Sequence, residues 1–141
     1  MQVKIKKLHS NAIIPSYQSL GAGAFDLHSV EGSYCYQGGP TIVRTGLAFE
    51  IPEGHVMLVF SRSGHGFKED VRLANCVGVI DSDYRGEVKV KLTKDSHEYF
   101  YISSGDRIAQ AIILPFEQAQ FVVVDELGST ERGEKGFGST G

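Results

Sequence analysis

Short runs of alternating apolar and polar residues recur along the chain and predict β-strands. In the clearest run, Val43, Leu47 and Ile51 alternate with the polar residues Arg44 and Glu50. Such a period of two places apolar side chains on one face of a strand. Strands are expected at 3–8, 41–51, 55–60, 77–80, 87–92, 98–103, 107–114 and 120–124.

Glycine, proline and serine separate these runs and predict turns, for example at 38–40, 52–54 and 103–106. No run of twelve residues has the 3.6-residue period of a helix, although 63–70 is compatible with one short helix. The pattern predicts an all-β sandwich, jelly roll or barrel. We assign that β-domain to residues 1–127. Residues 128–141 include five glycines and are expected to form a flexible tail.

Length and composition predict one soluble domain. The chain has 141 residues, 41% of them hydrophobic, and a net charge of −3, which argues against a broad basic face for nucleic acid. No apolar run reaches the roughly 20 residues of a membrane span, and we expect no secretory signal at the N-terminus. The two cysteines and five histidines lack zinc-ligand spacing. These features favour a reducing, cytoplasmic setting without a transition metal.

A candidate hairpin at 78–87 carries two carboxylates and an aromatic ring. Asp81 and Asp83 follow an apolar run and precede Tyr84. In an extended segment, residues two apart point to one face, so the two aspartates are expected to share a face with Tyr84 on the other, unless the turn rotates it. One interpretation is a plain hairpin whose aspartates cap the turn. The other is a carboxylate that orients and deprotonates water beside an aromatic wall.

Two further segments combine polar groups with apolar strands. Ser61, Arg62, Ser63 and Gly64 are typical of either an exposed polar turn or a cradle for phosphate. They do not form a Walker A loop. Gln110 interrupts the apolar run at 107–114, and it is either directed to an edge or, if buried, in need of a partner.

The tail contains groups that suit a nucleotide. Arg132 can pair with phosphate oxygens, and the ring of Phe137 can stack on a base. A tail that orders over a ligand acts as a lid. Taken together, the segments favour an enzyme that acts on a nucleotide.

Five segments, which cover about a third of the chain, resemble the five motifs of the dUTPases in the family's order. They are Ala24–Leu27, Ser61–Gly64, Asn75–Glu87, Gly105–Pro115 and Arg132–Gly141. The third and fifth are the most specific, with GVIDSDYRGE and GFGSTG nearly in the family's full form. Ala24, Ser61 and Lys135 depart from the usual pattern, but each side chain expected to do chemistry is present.

The resemblance implies a jelly-roll-like subunit of a homotrimer that uses Mg²⁺ to hydrolyse dUTP to dUMP and pyrophosphate, which limits uracil in DNA and supplies dUMP. It assigns Asp81 to orienting the water that attacks the α-phosphorus and Gln110 to holding that water. The metal is held chiefly by the three phosphates, so no direct protein ligand is expected, and Asp26 is a candidate for its outer shell. The tail of one subunit closes the site of another. The substrate-binding residues that the resemblance implies are Arg62, Ser63, Gly64, Asn75, Gly78, Val79, Ile80, Tyr84, Arg132, Phe137, Gly138, Ser139 and Thr140.

Two other activities on nucleotides conflict with particular residues of this sequence. A deaminase acting on dCTP would carry a glutamate base in place of the 81–84 pattern, and a broad triphosphatase conflicts with Tyr84. A regulatory nucleotide-binding protein that signals through a protein partner stays open as the alternative. The source is either cellular or viral, in which case the location is the host cytoplasm.

Overall fold

The computed structural model describes residues 1–136 and 138. Within them the chain forms eleven strands and one short helix. The strands are β1 (Lys4–Lys7), β2 (Phe25–His28), β3 (Ser33–Cys35), β4 (Thr41–Arg44), β5 (Leu47–Glu50), β6 (His55–Phe60), β7 (Val71–Leu73), β8 (Gly78–Ile80), β9 (Lys89–Lys94), β10 (Phe100–Ile102) and β11 (Arg107–Pro115), and the helix is α1 (Ser63–Glu69).

All strand pairs are antiparallel, and they form four small sheets. The largest has the order β2-β11-β6-β8, and a second has the order β4-β9-β7. The pairs β1-β5 and β10-β3 complete the fold. The all-β prediction is therefore confirmed. Among the described residues, no helix has the length and apolar character needed to cross a membrane.

Alternation along the strands builds one apolar core between these sheets. In β9, Val90 and Leu92 are buried, while Lys89 and Lys91, which alternate with them, are exposed. Burial of such side chains is the main stabilising contribution to the fold. The largest fully buried side chains are Leu27, Val30, Val43, Leu47, Met57, Val71, Leu73, Val88, Val90, Leu92, Ile102 and Ile108.

The sequence predicts a single strand at 41–51, but the structure has two strands there, β4 and β5. The chain turns at Gly46, whose φ of +66° favours glycine. A Cβ atom there would lie 2.8 Å from His9 Cβ and from Val30 Cγ1, so a side chain would also clash. The bend sends β4 to pair with β9 and β5 to pair with β1.

The strand expected at 120–124 is absent, and that prediction was wrong for the isolated chain. The last strand ends at Pro115, and residues 116–136 are exposed and carry neither helix nor strand. Phe121 and Val123 are 93% and 99% exposed. The residue pattern suits a strand, but none of the strands in this chain pairs with it.

The helix at 63–70 is confirmed as α1. It ends at Asp70, which has the left-handed conformation common at helix C-termini. Buried Lys94 donates a hydrogen bond to the carbonyl of Glu69 in the last turn. A cation at this position satisfies a free carbonyl and matches the helix dipole.

Candidate active site

Residues 75–87 include β8, which lies on the edge of the largest sheet. It pairs with β6, whereas the following strand β9 pairs with β4 and β7, so the hairpin expected from the sequence is not formed among the described residues. Gly78 pairs with Val59 of β6, and a Cβ atom at Gly78 would lie 3.3 Å from Val59 Cβ. Before the strand, Cys76 has a φ of +63°, and the amide of Val77 donates to the carbonyl of Asn75 at 2.7 Å. The chain thus makes a tight turn that leaves Asn75 exposed at its tip.

Asp81 and Tyr84 line one cavity of about 290 Å³ beside β8. The Tyr84 hydroxyl donates to the Glu87 carbonyl at 3.1 Å, which holds the ring across the turn. The ring can lie there because residue 86 is glycine: a Cβ atom at Gly86 would lie 2.3 Å from Tyr84 Oη. The cavity's other lining residues are Val79, Ile80, Glu87, Val88 and Lys89.

The expectation that Asp81 and Asp83 share a face opposite Tyr84 was wrong. The amide of Tyr84 donates to the carbonyl of Asp81 at 3.2 Å, so residues 81–84 form a turn. The turn rotates Tyr84 to the cavity with Asp81, whereas Asp83 lines a different pocket with Lys4 and Glu50. The two-residue rule applies only to extended backbone, which ends at Ile80.

A second group of charged residues lies where β2, β11 and α1 meet. Asp26 is 8% exposed and pairs through Oδ1 with Arg62 Nε at 3.3 Å. Its other oxygen, Oδ2, lies 3.3 Å from Arg107 Nη1. A nearly buried carboxylate between two guanidinium groups leaves a net positive charge, which suits an anionic ligand.

Gln110 is half-buried and has the partner that its position on β11 demands. Its Nε2 donates to the Ser61 carbonyl at 3.0 Å, and the Ser61 hydroxyl accepts from the Leu73 amide at 2.9 Å. These bonds fix the backbone just before Arg62 and the exposed first turn of α1, where Ser63 and Gly64 lie.

Sequence reasoning missed two contributors to this group, His65 and Arg107. His65 Nε2 lies 3.2 Å from Arg62 Nη1, and the Arg107 carbonyl accepts from the same Nη1 at 3.2 Å. Burial, and then the charge of Arg62, hold the pKa of His65 below its usual value. The three-residue spacing of Arg62 and His65 at the start of a helix could have indicated their contact.

The two groups lie at opposite ends of β6. Ile80 pairs with Met57 near the start of that strand, so Asp81 follows beside its first residues. Gln110 pairs with Phe60 at the other end, and Arg62 comes two residues later. At about 3.4 Å per residue, the four steps from residue 56 to Phe60 alone span roughly 14 Å.

No hydrogen bond joins the described part of the tail to either group. Arg132 Nε donates to the Lys135 carbonyl at 2.9 Å, and the other bonds of residues 130–135 are equally local. Gly138 has a φ of +73°. The predictions for Phe137, Ser139 and Thr140 fall on residues outside those that the structure describes.

The all-β fold, with a carboxylate beside an aromatic ring and a separate group of arginines, suits a nucleotide hydrolase. Comparison with known proteins gives the family. The dUTPase family model matches residues 10–141. The chain is 53% identical to the deoxyuridine 5'-triphosphate nucleotidohydrolase of Helicobacter hepaticus over 141 residues, which are all of this chain and 89% of that one. It is 50% identical to the enzyme of the same name from Nautilia profundicola, over all of this chain and 99% of that one. The chain belongs to the dUTPase family.

A solved structure supports the same fold. The dUTPase of Staphylococcus bacteriophage 80alpha, solved with dUPNHPP, superposes with a TM-score of 0.88 at 28% identity, over 99% of this chain and 98% of that chain. The jelly-roll-like fold expected from the sequence is confirmed by this match. Phage dUTPases such as that one control the transfer of virulence genes.

Proposed function

We propose that this chain hydrolyses dUTP to dUMP and pyrophosphate by in-line attack of water on the α-phosphorus. The observation that carries the proposal is that Asp81 and Tyr84 line one cavity at the end of β8, in a chain whose family is the dUTPases. We place the reaction in the cytoplasm, where its substrate would be supplied.

The cavity beside β8 suits the nucleoside and the attacking water. Asp81 is exposed and follows β8 directly, so its carboxylate can accept a proton from a water in the cavity. The ring of Tyr84, held by Glu87, would pack under the deoxyribose and exclude a 2′-hydroxyl. The uracil would pair with backbone groups of Gly78, Val79 and Ile80, with Asn75 as a further polar contact. A base with the wrong pattern would leave such groups unpaired, which discriminates strongly.

The Arg62 group suits the phosphates. Arg62 and the hydroxyl of Ser63 would bind phosphate oxygens, together with the amide of Gly64 in the same exposed turn. Gln110 uses its Nε2 on the Ser61 carbonyl. Its Oε1 would accept a hydrogen bond from the attacking water. Catalysis would then rely on positioning and charge neutralisation, as in other phosphoryl transfers.

The donor set fits a Mg²⁺ that arrives with the nucleotide. Across residues 1–136 and 138, no group of three or more His, Cys, Asp and Glu side chains could hold a metal ion. Asp26 uses both carboxylate oxygens on arginines, so it would reach the ion only through water. Mg²⁺ prefers oxygen ligands and keeps several waters, and when bound it would neutralise part of the triphosphate charge.

We infer that the complete site combines several subunits of a homotrimer. Asp81 and Arg62 are separated by the length of β6, more than the span of a triphosphate, so they would meet on one substrate only if they come from different chains. The cavity of about 290 Å³ is also at the low end for a nucleotide site. The exposed apolar residues at 121–124 would pack on a neighbouring subunit.

The tail, residues 128–141, would act as a lid on a neighbouring subunit's site. Arg132, Ser139 and Thr140 would hold the γ-phosphate, with the backbone of Gly138 beside them, and Phe137 would stack on uracil. The open arrangement of Arg132 supports this proposal, because its described bonds are all local.

The test is pyrophosphate release from dUTP, dCTP, dTTP and UTP, each with Mg²⁺ and with a chelator. Rapid release from dUTP alone, lost on chelation, is expected. If none of the four is hydrolysed while dUTP still binds, the regulatory alternative is favoured, in line with the role described for phage dUTPases.

A further inference from the structure

We propose that His65 is a positioning residue, which holds the Arg62 guanidinium in the orientation that binds a nucleotide phosphate. The proposal rests on the proposed function, since it assumes that Arg62 contacts the substrate. It concerns a side chain outside the segments that resemble the family motifs, which end at Gly64 in this region.

Some N–H donors of Arg62 contact acceptors in the described part of the protein, and the others have no such contact there. Nε faces Asp26 Oδ1 at 3.3 Å, and Nη1 has two acceptors, His65 Nε2 and the Arg107 carbonyl, each at 3.2 Å. The two Nη1 contacts match both hydrogens of that nitrogen, and the contact of Nε with Asp26 is an ion pair. Nη2 has no hydrogen-bond partner among the described residues. The free Nη2 edge is therefore the part of the fork that can meet a phosphate.

The contact requires a neutral imidazole in one tautomer. Arg62 can only donate, so His65 Nε2 must accept and the ring proton must lie on Nδ1. His65 Nδ1 is buried without a partner. Burial and the charge of Arg62 lower the pKa of His65, so the acceptor form persists at neutral pH.

The surroundings of His65 hold the ring in place. The ring of Phe100 on β10 packs edge-on against it, with centroids 5.2 Å apart. The charged groups that face His65 are Arg62 and Glu69 from the α1 segment, and Asp106 and Arg107 from the start of β11. Because Phe100 fixes the ring and two other elements fix the remaining acceptors, the Arg62 side chain has one defined orientation.

Removing the acceptor should weaken substrate binding more than turnover. Without the contact to His65, the Arg62 guanidinium is less ordered in the free protein. Phosphate binding must then order it, and the entropy lost in that step weakens the affinity for substrate. In a site shared between chains, the Asp81 that orients the water comes from another subunit, and its proposed role does not depend on the Arg62 guanidinium. The expected signature is a raised KM with a nearly unchanged kcat.

The test compares His65→Phe, which keeps a ring against Phe100, with His65→Gln, which can return an acceptor to Arg62. For His65→Phe we expect about a tenfold rise in the KM for dUTP and in the Kd of dUPNHPP, as for the loss of a charged hydrogen bond. We expect kcat to stay within about threefold, since the lost contact is uniform binding. His65→Gln should recover most of the affinity.

The dependence of KM on pH distinguishes this role from a purely structural one. Protonated His65 cannot accept from Arg62, so the KM of the unmodified enzyme should approach that of His65→Phe as the pH is lowered from 7.5 to 5. The ratio of the two KM values cancels the protonation of the substrate itself. The ratio should therefore fall towards one.

The proposal is overturned if His65→Phe binds dUPNHPP as well as the unmodified chain, or if His65→Gln and His65→Phe lose equal affinity. Arg62→Ala separates this result from the proposed function. If Arg62→Ala keeps the normal affinity, the phosphate contact and the role of His65 both fail, while dUTP hydrolysis stands. If the unmodified chain does not hydrolyse dUTP, the proposed function fails, and the dUPNHPP affinities still decide the role of His65.

Discussion

Asp81 and Arg62 lie beyond opposite ends of β6, the strand that pairs with β8 along one edge and with β11 along the other. Asp81 follows Ile80, which is opposite Met57, and Arg62 follows Phe60, which is opposite Gln110. Two residues so far apart on one chain cannot act on the same α-phosphorus and its neighbouring phosphates. A site that uses both must combine two chains.

The first prediction is complementation between two inactive variants. Asp81→Asn and Arg62→Ala should each be inactive or severely impaired alone, because all their sites carry the defect. In a trimer assembled at random from equal amounts of both, about one site in four should receive the intact Asp81 from one chain and the intact Arg62 from the next. Co-expression and assay of the whole trimer population measure this recovery. Trimers selected with two affinity tags all contain both variants and should have one intact site in three.

A matched control uses the double variant Asp81→Asn/Arg62→Ala co-expressed with the unmodified chain. Sites shared between chains should again be intact in about one case in four, whereas sites within one chain should be intact in about half. The shared site would be contradicted if the mixture of the two single variants showed no activity while the mixture with the double variant kept half of the full activity.

The second prediction concerns Asp81 alone. Asp81→Asn keeps the size of the side chain but removes the proposed base, so turnover of dUTP should fall at least about 10²-fold. Binding should persist, because the phosphate contacts lie elsewhere. Single-turnover pyrophosphate release gives the rate, and titration with dUPNHPP gives the affinity. Near-normal turnover would remove Asp81 from the mechanism.

The third prediction concerns sugar selection by Tyr84. Tyr84→Ala should narrow the gap in kcat/KM between dUTP and UTP, because the ring that excludes a 2′-hydroxyl is gone. Tyr84→Phe is the matched control, since it loses only the 3.1 Å bond to the Glu87 carbonyl and should keep most of the selectivity. Gly86→Ala should mimic Tyr84→Ala, because its Cβ would displace the ring.

An unchanged ratio of the two kcat/KM values in Tyr84→Ala would place sugar selection elsewhere. A loss in Tyr84→Phe as large as that in Tyr84→Ala would show that the hydroxyl, rather than the ring, carries the selection.

The sequence predicts an element well when the cause of that element lies within the element itself, and poorly when the cause is a contact with a distant part of the chain. The alternation correctly gave a buried position at Val43 within β4, because the period of two is a property of the strand itself. The break at Gly46 was missed, because its cause is the close approach of His9 and Val30. The three-residue strands β3 and β7 are too short to show a period.

The same distinction applies to the candidate site. The motif drew attention to Asp81 and Tyr84, but their common cavity follows from the turn at 81–84 and not from the spacing. The partner of Gln110 is a backbone carbonyl, and the contact of His65 with Arg62 depends on α1 starting at Ser63. The bond of Gln110 to a backbone carbonyl leaves no signal in the spacing, whereas the spacing of Arg62 and His65 becomes informative only once the helix start is known.

The fourth prediction concerns the tail. Deleting residues 132–141 should abolish turnover but leave the oligomer intact, because the exposed apolar residues at 121–124 remain. Ordering a glycine-rich segment costs roughly 1–2 kcal/mol per residue, so its closure must be driven by contacts with the nucleotide. Analytical ultracentrifugation checks the assembly, and pyrophosphate release checks the activity. A truncated protein with normal turnover would disprove the lid.

The fifth prediction is a loss of stability in mild acid. Burial is the main cause that lowers the pKa of both His28 and His65. Above their ordinary pKa of about 6.5, both residues are neutral in the folded and unfolded chain, and stability is complete. As the pH falls through that value, the unfolded chain binds protons that the folded chain does not bind. The free energy of unfolding must therefore decrease.

Urea denaturation between pH 7.5 and 5 measures this decrease as a falling midpoint. His28→Gln and His65→Gln should each flatten the dependence on pH, because each removes one group that titrates differently in the two states. His97→Gln, at an exposed position, is the control and should leave the slope unchanged. A slope that stays the same in the first two variants would assign the acid sensitivity to other groups, and the burial of the two imidazoles would then have no measurable linkage to folding.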